Sequence, residues 1–404
     1  MTSIVFWSAA ALVVYTYALF PAILLARAVV SPRRFAVDDI EPTVTMIVAA
    51  YNEAASIGAK LENALSLDYP AQRLEIIVAS DGSTDGTNEI VQSYASRGIR
   101  LIRLPRGGKV TALNAAAAVA AGEILVFSDA NSMYARDAVR VLVRPFADAA
   151  VGGVAGDQRY LAAADSGPSS EGERIYWNGD RMVKRLQSRA GSVTSATGAI
   201  YAIRRSLFRT VPIGVMDDFV ISTRVVAQGY RLVFAPDAIA YEPVAGSSNV
   251  EFRRKVRNTA LGLQGVLAVR ELLNPYRYGF YALQLFSHKV ARRLVVFPLI
   301  ALAVTSPLLW NHGRFYQIVA LAQLGFYGAA LAGFVLARTP LRKLKAVTVP
   351  FYFCMVYVAV LVAILHLIRG RGGRRITSWE TQREEFTGER RPDRDSIPSG
   401  TTSL

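Results

Sequence analysis

The chain is expected to fold as an α/β domain with a doubly wound sheet, held to a bilayer by apolar helices on both sides. Three observations predict this. Short apolar runs alternate with helix-like runs between residues 43 and 131, the pattern of a sheet with crossover helices. Polar and acidic residues recur where those apolar runs end. Four segments, 4–26, 294–313, 315–337 and 346–368, contain no Asp, Glu, Lys or Arg. Each is about 20 residues or slightly longer, enough for a helix to cross a hydrocarbon core.

The first apolar segment has no basic residues before it, and Arg27, Arg33 and Arg34 follow it. It reads as an uncleaved anchor rather than a signal peptide, with those arginines in the cytoplasm. The next runs follow in order. TVTMIVAAYN (43–52) is a buried strand ending in a polar turn, and residues 55–67 have helical spacing. LEIIVASDGS (74–83) is a second strand, and residues 85–94 a helix. GIRLIRL (98–104) is a third strand, and 110–121 an Ala-rich helix. EILVFSDAN (123–131) is a fourth strand ending in a carboxylate. This order predicts a parallel sheet, with ligands at the carboxyl ends of its strands. Asn52, Glu53, Asp81 and Asp129 all fall at such ends.

Residues 162–172 are polar and Gly/Ser-rich, as in a mobile loop, and 173–190 resemble an amphipathic helix. Residues 251–292 form a basic helical stretch with Phe280, Tyr281 and Phe286, suited to a membrane surface. The expected domains are a 1–30 anchor, a 31–250 cytoplasmic domain, 251–292 interface helices, 293–368 with about three transmembrane helices, and a partly disordered tail at 369–404.

Composition narrows the partners. Of 404 residues 52% are hydrophobic, as in an integral membrane protein. Lys and Arg number 46 against 31 acidic residues. The excess does not require nucleic acid, because cytoplasmic loops of membrane proteins are basic. Residues 251–293 hold nine Lys/Arg against two acidic groups, which suits anionic headgroups or a lipid-linked phosphate. One cysteine, Cys354, excludes a disulfide framework. Heavy use of Ala and Arg fits a bacterium, and the expected location is its cytoplasmic membrane.

The acidic motifs carry the chemistry. Asp81 opens DGSTDG at a strand end and can accept from a nucleobase NH or a ribose hydroxyl, while Asp85 suits a helix cap. Asp129 and Asn131, two residues apart, can place oxygens on one hard cation, Mg2+ or Mn2+. Alternatively they form a polar turn. Asp217 and Asp218 precede a helical run and suit a general base, oriented by an ion pair to Arg224. Lys109 and Asn114 can reach a phosphate or hydroxyl. His288 and Lys289, just before a span, read equally well as interfacial side chains.

Taken in order, these residues resemble the family-two inverting glycosyltransferases of the GT-A fold. The likeness is to their membrane-embedded branch, with cellulose, hyaluronan and poly-N-acetylglucosamine synthases, and covers residues 40–290. The resemblance implies a mixed GT-A-like sheet. AAYNE (49–53) matches the first nucleotide-binding strand end, so Tyr51 and Glu53 would bind nucleoside with Asp81. GGKVTALNAA (107–116), with Lys109, matches a conserved-looking G-K-x-x-A-L-N segment of the family. Asp129-Ala130-Asn131 takes the D-x-D metal position, with Asn131 replacing the second Asp. TGAIYAIRR (197–205) resembles the segment beneath the acceptor. Asp218, of MDD (216–218), takes the general-base place, with Asp217 beside it. Arg254 and Arg257 match the arginines of Q/R-x-x-R-W, but Asn258 stands where polymerising members have Trp, which favours short products. Tyr176, Trp177 or Tyr201 are the candidate substitutes for that platform. Trp379 and Arg383 resemble a tail motif of the branch.

The expected function is transfer of a sugar, from a UDP-sugar first of all, to a polysaccharide or lipid-linked acceptor in cell-surface synthesis. The alternative is a non-catalytic nucleotide-binding membrane subunit of a polysaccharide-export system.

Overall fold

The computed structural model describes residues 1–161, 168–243, 248–336 and 344–369, with only the backbone of 161, 168–178, 243 and 248–250. Trp379, Arg383 and the tail from 370 lie outside the described residues, as do the side chains of Tyr176 and Trp177.

Apolar runs dictate the sheet. β1 (Val44–Ala50) buries every side chain, because helices cover both of its faces. β2 (Leu74–Asp81), β3 (Ile99–Leu104) and β4 (Ile124–Asp129) follow. β2 and β4 flank β1 in parallel, and β3 lies parallel outside β2. Up to this point the parallel reading holds. The second half of the domain makes the sheet mixed. β5 (Met133–Tyr134), β6 (Val151–Leu161), β7 (Tyr201–Arg204) and β8 (Arg231–Pro243) complete the order β3-β2-β1-β4-β7-β6-β8-β5. β7 runs antiparallel to both β4 and β6, β6 pairs parallel with β8, and β5 is antiparallel to β8.

Alternation along each strand sends side chains to two cores. Ile47, Ile77 and Phe127 meet the Lys109–Val119 helix through Ala112 and Leu113, and the Asp217–Ala227 helix through Phe219 and Val220. On the other face Met46, Val48 and Val78 meet Ile57 and Leu61 of the Ile57–Leu65 helix. Both helices that begin at the functional motifs are therefore fixed by burial of their apolar stripe.

Three helices, Thr2–Val30, Arg314–Val335 and Lys345–Ile368, are long and apolar enough to cross a membrane. The expected span at 294–313 is not one straight helix. Its residues divide between Phe280–Leu294 and Val296–Leu308, bent by 46°. The second piece has 13 residues, about 20 Å of helix, which is short of a hydrocarbon core on its own. The surface helix expected over 251–292 is also broken, into Ser248–Ala268, short turns at Arg270–Leu273 and Pro275–Tyr278, and Phe280–Leu285 onward. Tyr281 is buried in the domain core rather than lying on a surface. Of the predicted loop at 162–172, the part from Pro168 on is helical in backbone, in a helix that runs to Ala190, and 162–167 lie outside the described residues.

The apolar helices are joined to the domain by small-residue contacts. Phe20, Leu24 and Ala28 pack on Ala190. Val256 and Ala260 of the Ser248–Ala268 helix pack on Ala359 and Ala363 of the last helix, and the Tyr352 hydroxyl donates to Glu251 at 3.0 Å.

Ile77 is fully buried on β2. Ile77→Ala should destabilise the domain by about 2–5 kcal/mol through lost transfer energy and a cavity, read as a lower melting temperature in detergent. An unchanged melt would show that the sheet is not packed this way.

Candidate active site

The strand ends of β1 and β2 are tied together by their own loops. Asn52 adopts a left-handed conformation at φ 51°, which Asn tolerates better than most residues. Its N–H donates to the Ser83 hydroxyl at 3.1 Å, and its Oδ1 accepts from the Thr84 N–H at 2.9 Å. Asp85 accepts from the N–H groups of Ala54 and Thr87, so it caps the following helix and bridges to the β1 loop. The Glu53 carboxylate accepts from Ser56 at 2.7 Å.

Asp81 is fully buried. It accepts from the backbone N–H of Gly107 at 2.7 Å and of Gly108 at 2.9 Å, and pairs with Arg106. The Arg106 guanidinium lies 3.4 Å above the centre of the Tyr51 ring, a stacked cation–π contact. Tyr51, Arg106 and Asp81 thus form one packed polar stack at the ends of β1 and β2, with Arg106 covering Asp81. Gly82, at φ +70°, is required there: a Cβ would stand 2.9 Å from the Arg106 backbone nitrogen.

The second half of the site is a set of carboxylates around one ammonium. Lys109 Nζ lies 2.6 Å from Asp129 and 3.2 Å from Asp217. Burial works against its charge, but the two carboxylates outweigh that and raise its pKa. Asp218, half-buried next door, accepts from the Phe219 N–H at 2.7 Å. Burial first, then the charge of Asp217, pushes Asp218 up to about 7. The close approach depends on Gly198, where a Cβ would meet Asp129 Oδ2 at 3.1 Å and Lys109 Nζ at 3.4 Å.

Three sequence expectations need correcting. Arg224 does not orient Asp218; it donates to the carbonyls of Arg209 and Thr210, and the ion pair at this helix start is that of Lys109 with the neighbouring Asp217. Asn114 is not aimed at a ligand, because its amide exchanges two hydrogen bonds with the backbone of Val211, both 3.0 Å. It pins the loop that leads to Asp217. Tyr201 cannot offer a sugar platform, since its ring is buried and stacked on Phe127 at 4.8 Å.

A buried network behind Asp129 was missed. Glu242 accepts from Ser132 and from Gln158; burial, then Asp129, pushes it up to about 7. Lys60 donates to the Ser132 carbonyl at 2.5 Å and is pulled down to about 7 by burial. The available signal was Lys60 on the apolar face that Ile57, Leu61 and Ala64 share.

The donor set fits a hard cation held by few protein groups. Asp129 is one-third exposed at its strand end, and Asn131 beside it is exposed. Among the described residues no cluster of three Asp, Glu, His or Cys could cage a metal. A site of that kind suits an ion whose shell is completed by phosphate oxygens and water.

Cations surround the far side. Arg254 and Arg257 are half-buried on the Ser248–Ala268 helix, and Asp217 and Asp129 act electrostatically on Arg257. Asn258 is half-buried beside them. Lys289 donates to Ser195 at 2.6 Å and lies 5.8 Å from the ring of Phe219. His288 Nδ1 is 3.0 Å from the Thr194 hydroxyl, and Lys184 pairs with Asp180 at 3.1 Å. Lys289 and His288 are thus built into the domain and are not merely interfacial.

Residues 45–211 match the family model "Glycosyl transferase family 2". The chain is 28% identical over 232 residues to a Bacillus subtilis (strain 168) protein named "Probable glycosyltransferase YdaM", covering 54% of each chain. It is 28% identical over 231 residues to the poly-beta-1,6-N-acetyl-D-glucosamine synthase of Staphylococcus aureus (strain COL), covering 55% of this chain and 54% of that one. The chain thus spans about half the length of the curated relatives it matches. A mannosyltransferase of Pyrobaculum calidifontis, solved with GDP-Man and Mn2+, superposes with a TM-score of 0.67 at 27% identity, over 91% of this chain and 99% of that one.

Gly198→Ala should push Asp129 away from Lys109 and weaken metal-dependent nucleotide binding at least tenfold, about 1.4 kcal/mol. The melting temperature should change little. Calorimetry with UDP and GDP across a Mn2+ titration reads this, and unaltered binding would show that the Gly198 contact is not part of the site.

Proposed function

With residues 45–211 as a family 2 glycosyltransferase domain related to a polysaccharide synthase, we propose that the chain transfers a sugar from a nucleotide-sugar to a membrane-associated acceptor, with inversion. The observation that carries this is Asp218. It is a half-buried carboxylate raised to about 7, one residue from an Asp–Lys–Asp cluster at the carboxyl end of the sheet.

Asp218 takes the proton of the acceptor hydroxyl as that oxygen attacks the anomeric carbon. The bond to the diphosphate oxygen breaks on the opposite face, which inverts the centre. A base near neutrality is matched to such a transfer. Asp81, Tyr51 and Glu53 hold the nucleoside. UDP is the expectation from sequence, and the GDP-Man complex of the neighbour puts GDP beside it in any donor panel. Lys109 stands beside Asp129, within reach of the diphosphate, and Arg254 and Arg257 bind phosphate oxygens with planar donors. Mg2+ or Mn2+ at Asp129, with Asn131 adjacent, would neutralise charge on the departing diphosphate.

The acceptor reading is a lipid-linked sugar, with single additions or short products. Lys289 beside Phe219 suits a phosphate-bearing acceptor, and Asn258 offers no aromatic face to a growing chain. The proposed placement is the bacterial cytoplasmic membrane, with the sheet domain in the cytoplasm and the long apolar helices in the bilayer. The expected domain limits, 1–30, 31–250, 251–292, 293–368 and 369–404, follow from that placement. A non-catalytic nucleotide-binding subunit would have no use for a carboxylate kept basic at Asp218.

Asp218→Asn should leave nucleotide binding intact and lower transfer by about 10²–10⁴-fold. Because the deprotonated form is the active one, wild-type kcat/KM should fall as pH drops through about 7 and level off above it. A pH-independent rate between pH 5.5 and 8.5, roughly, would remove the general-base role.

Asp129→Ala should abolish transfer, and chelation of divalent ions should do the same to the wild type. Asn131→Asp should lower the metal concentration needed, since a second carboxylate adds charge to a hard-cation site. Full activity after chelation would end the metal assignment. Products from proteoliposomes should run as short, lipid-extractable material; high-molecular-weight polymer from this protein alone would overturn the acceptor reading.

A further inference from the structure

Away from the catalytic carboxylates, a cavity of about 840 Å³ opens at the other end of the Asp217–Ala227 helix. That helix has 11 residues, so its two ends stand about 16 Å apart. Arg27, Arg33, Arg231 and Arg277 line the cavity, and its lining contains no Asp or Glu. Tyr230 and Tyr276 contribute aromatic walls.

The arginines have different parts. Arg231 is fixed by the carbonyls of Gly191, Arg34 and Arg33, at 2.8–2.9 Å, so it is a permanent charge in the wall. Arg27 ends the first apolar helix, donates to the Ser31 carbonyl and lies 5.9 Å from the Phe280 ring. Arg33 and Arg277 are exposed, and neither forms an ion pair with a described residue. Arg33 and Arg277 bring two exposed side chains to a lining that holds no carboxylate, beside the wall charges of Arg27 and Arg231, and like charges so gathered repel one another unless an anion joins them. Planar guanidinium donors match phosphate oxygens in pairs.

The rim says which phosphate. Arg27 closes one apolar helix, and Phe280 opens the bent pair Phe280–Leu294 and Val296–Leu308. Tyr276 is 99% exposed, an aromatic with an apolar ring and a polar tip, as found at bilayer interfaces. We propose that this cavity binds the phosphate headgroup of an anionic phospholipid from the cytoplasmic leaflet. The proposal rests on the membrane placement given above and not on the sugar-transfer reading.

The test uses the full chain in nanodiscs of phosphatidylcholine with or without phosphatidylglycerol, and no sugar donor. Native mass spectrometry counts the lipids retained on release. The wild type should retain phosphatidylglycerol in preference to phosphatidylcholine. The exposed-residue double variant Arg33→Gln/Arg277→Gln should lose that preference several-fold, and Arg33→Lys/Arg277→Lys should keep part of it. Equal melting temperatures in phosphatidylcholine establish that the variants are folded. Where the Gln pair melts early, Arg277→Gln alone carries the comparison. Undiminished phosphatidylglycerol retention in the variants would overturn the proposal. So would a thermal shift from inorganic phosphate as large as that from phosphatidylglycerol, since the site would then be one for a free anion. Failure of the chain to enter nanodiscs at all would instead overturn the membrane placement.

Discussion

The arrangement of the site depends on a single ammonium among three carboxylates. Asp129 comes from the end of β4, and Asp217 and Asp218 from the start of a helix far along the chain. Two like charges held within several ångströms repel by on the order of 3 kcal/mol even at an effective dielectric near 20. Lys109 lies between Asp129 and Asp217 and makes their approach possible. Asp218 owes its basicity first to burial and then to the charge of Asp217, which the nearby ammonium only partly offsets. Gly198 has no side chain for the same reason: the space belongs to the charges.

The first half of the sheet was legible because its strands are buried on both faces and therefore read as unbroken apolar runs. β1 to β4 match their predicted positions to within a few residues. β6 and β8 gave no such signal. β6 is VGGVAGDQRYL, broken by glycines and charges, and β7 has four residues. Their pairing is antiparallel or distant, so nothing local encodes it. The site divides in the same way. Strand-end acids were visible as motifs. Their partners were not, because Arg106 reaches Asp81 across a turn of another strand, and Glu242 reaches Ser132 from β8, the neighbouring strand of β5 but far along the chain. Arg224 was a misreading of local spacing: four to seven residues along a helix suggest a partner, but its side chain had carbonyls of the Arg209–Thr210 turn to satisfy.

The relation of site to apolar helices follows from small residues. The helix that carries Arg254 and Arg257 does not float on the domain. Ala260 meets Ala359 and Ala363 with no long side chains between them, which lets helix axes come close. Tyr352 and Glu251 add a polar fastening at one end. The domain core holds the carboxylates, and the last apolar helix holds the arginines.

Val266 of the arginine-bearing helix also packs in the core with Phe219 and Val220, so one helix ties the candidate site both to the sheet domain and to the last apolar helix. A pair of helices in contact through alanines has little room to slide, so it moves as one lever. If the last helix spans a bilayer as proposed, a thickness that does not match it would change its tilt, and the paired helices would pass that tilt to the arginine side of the cleft. The spacing between the arginines and the carboxylates would then be a property of the lipid as much as of the chain.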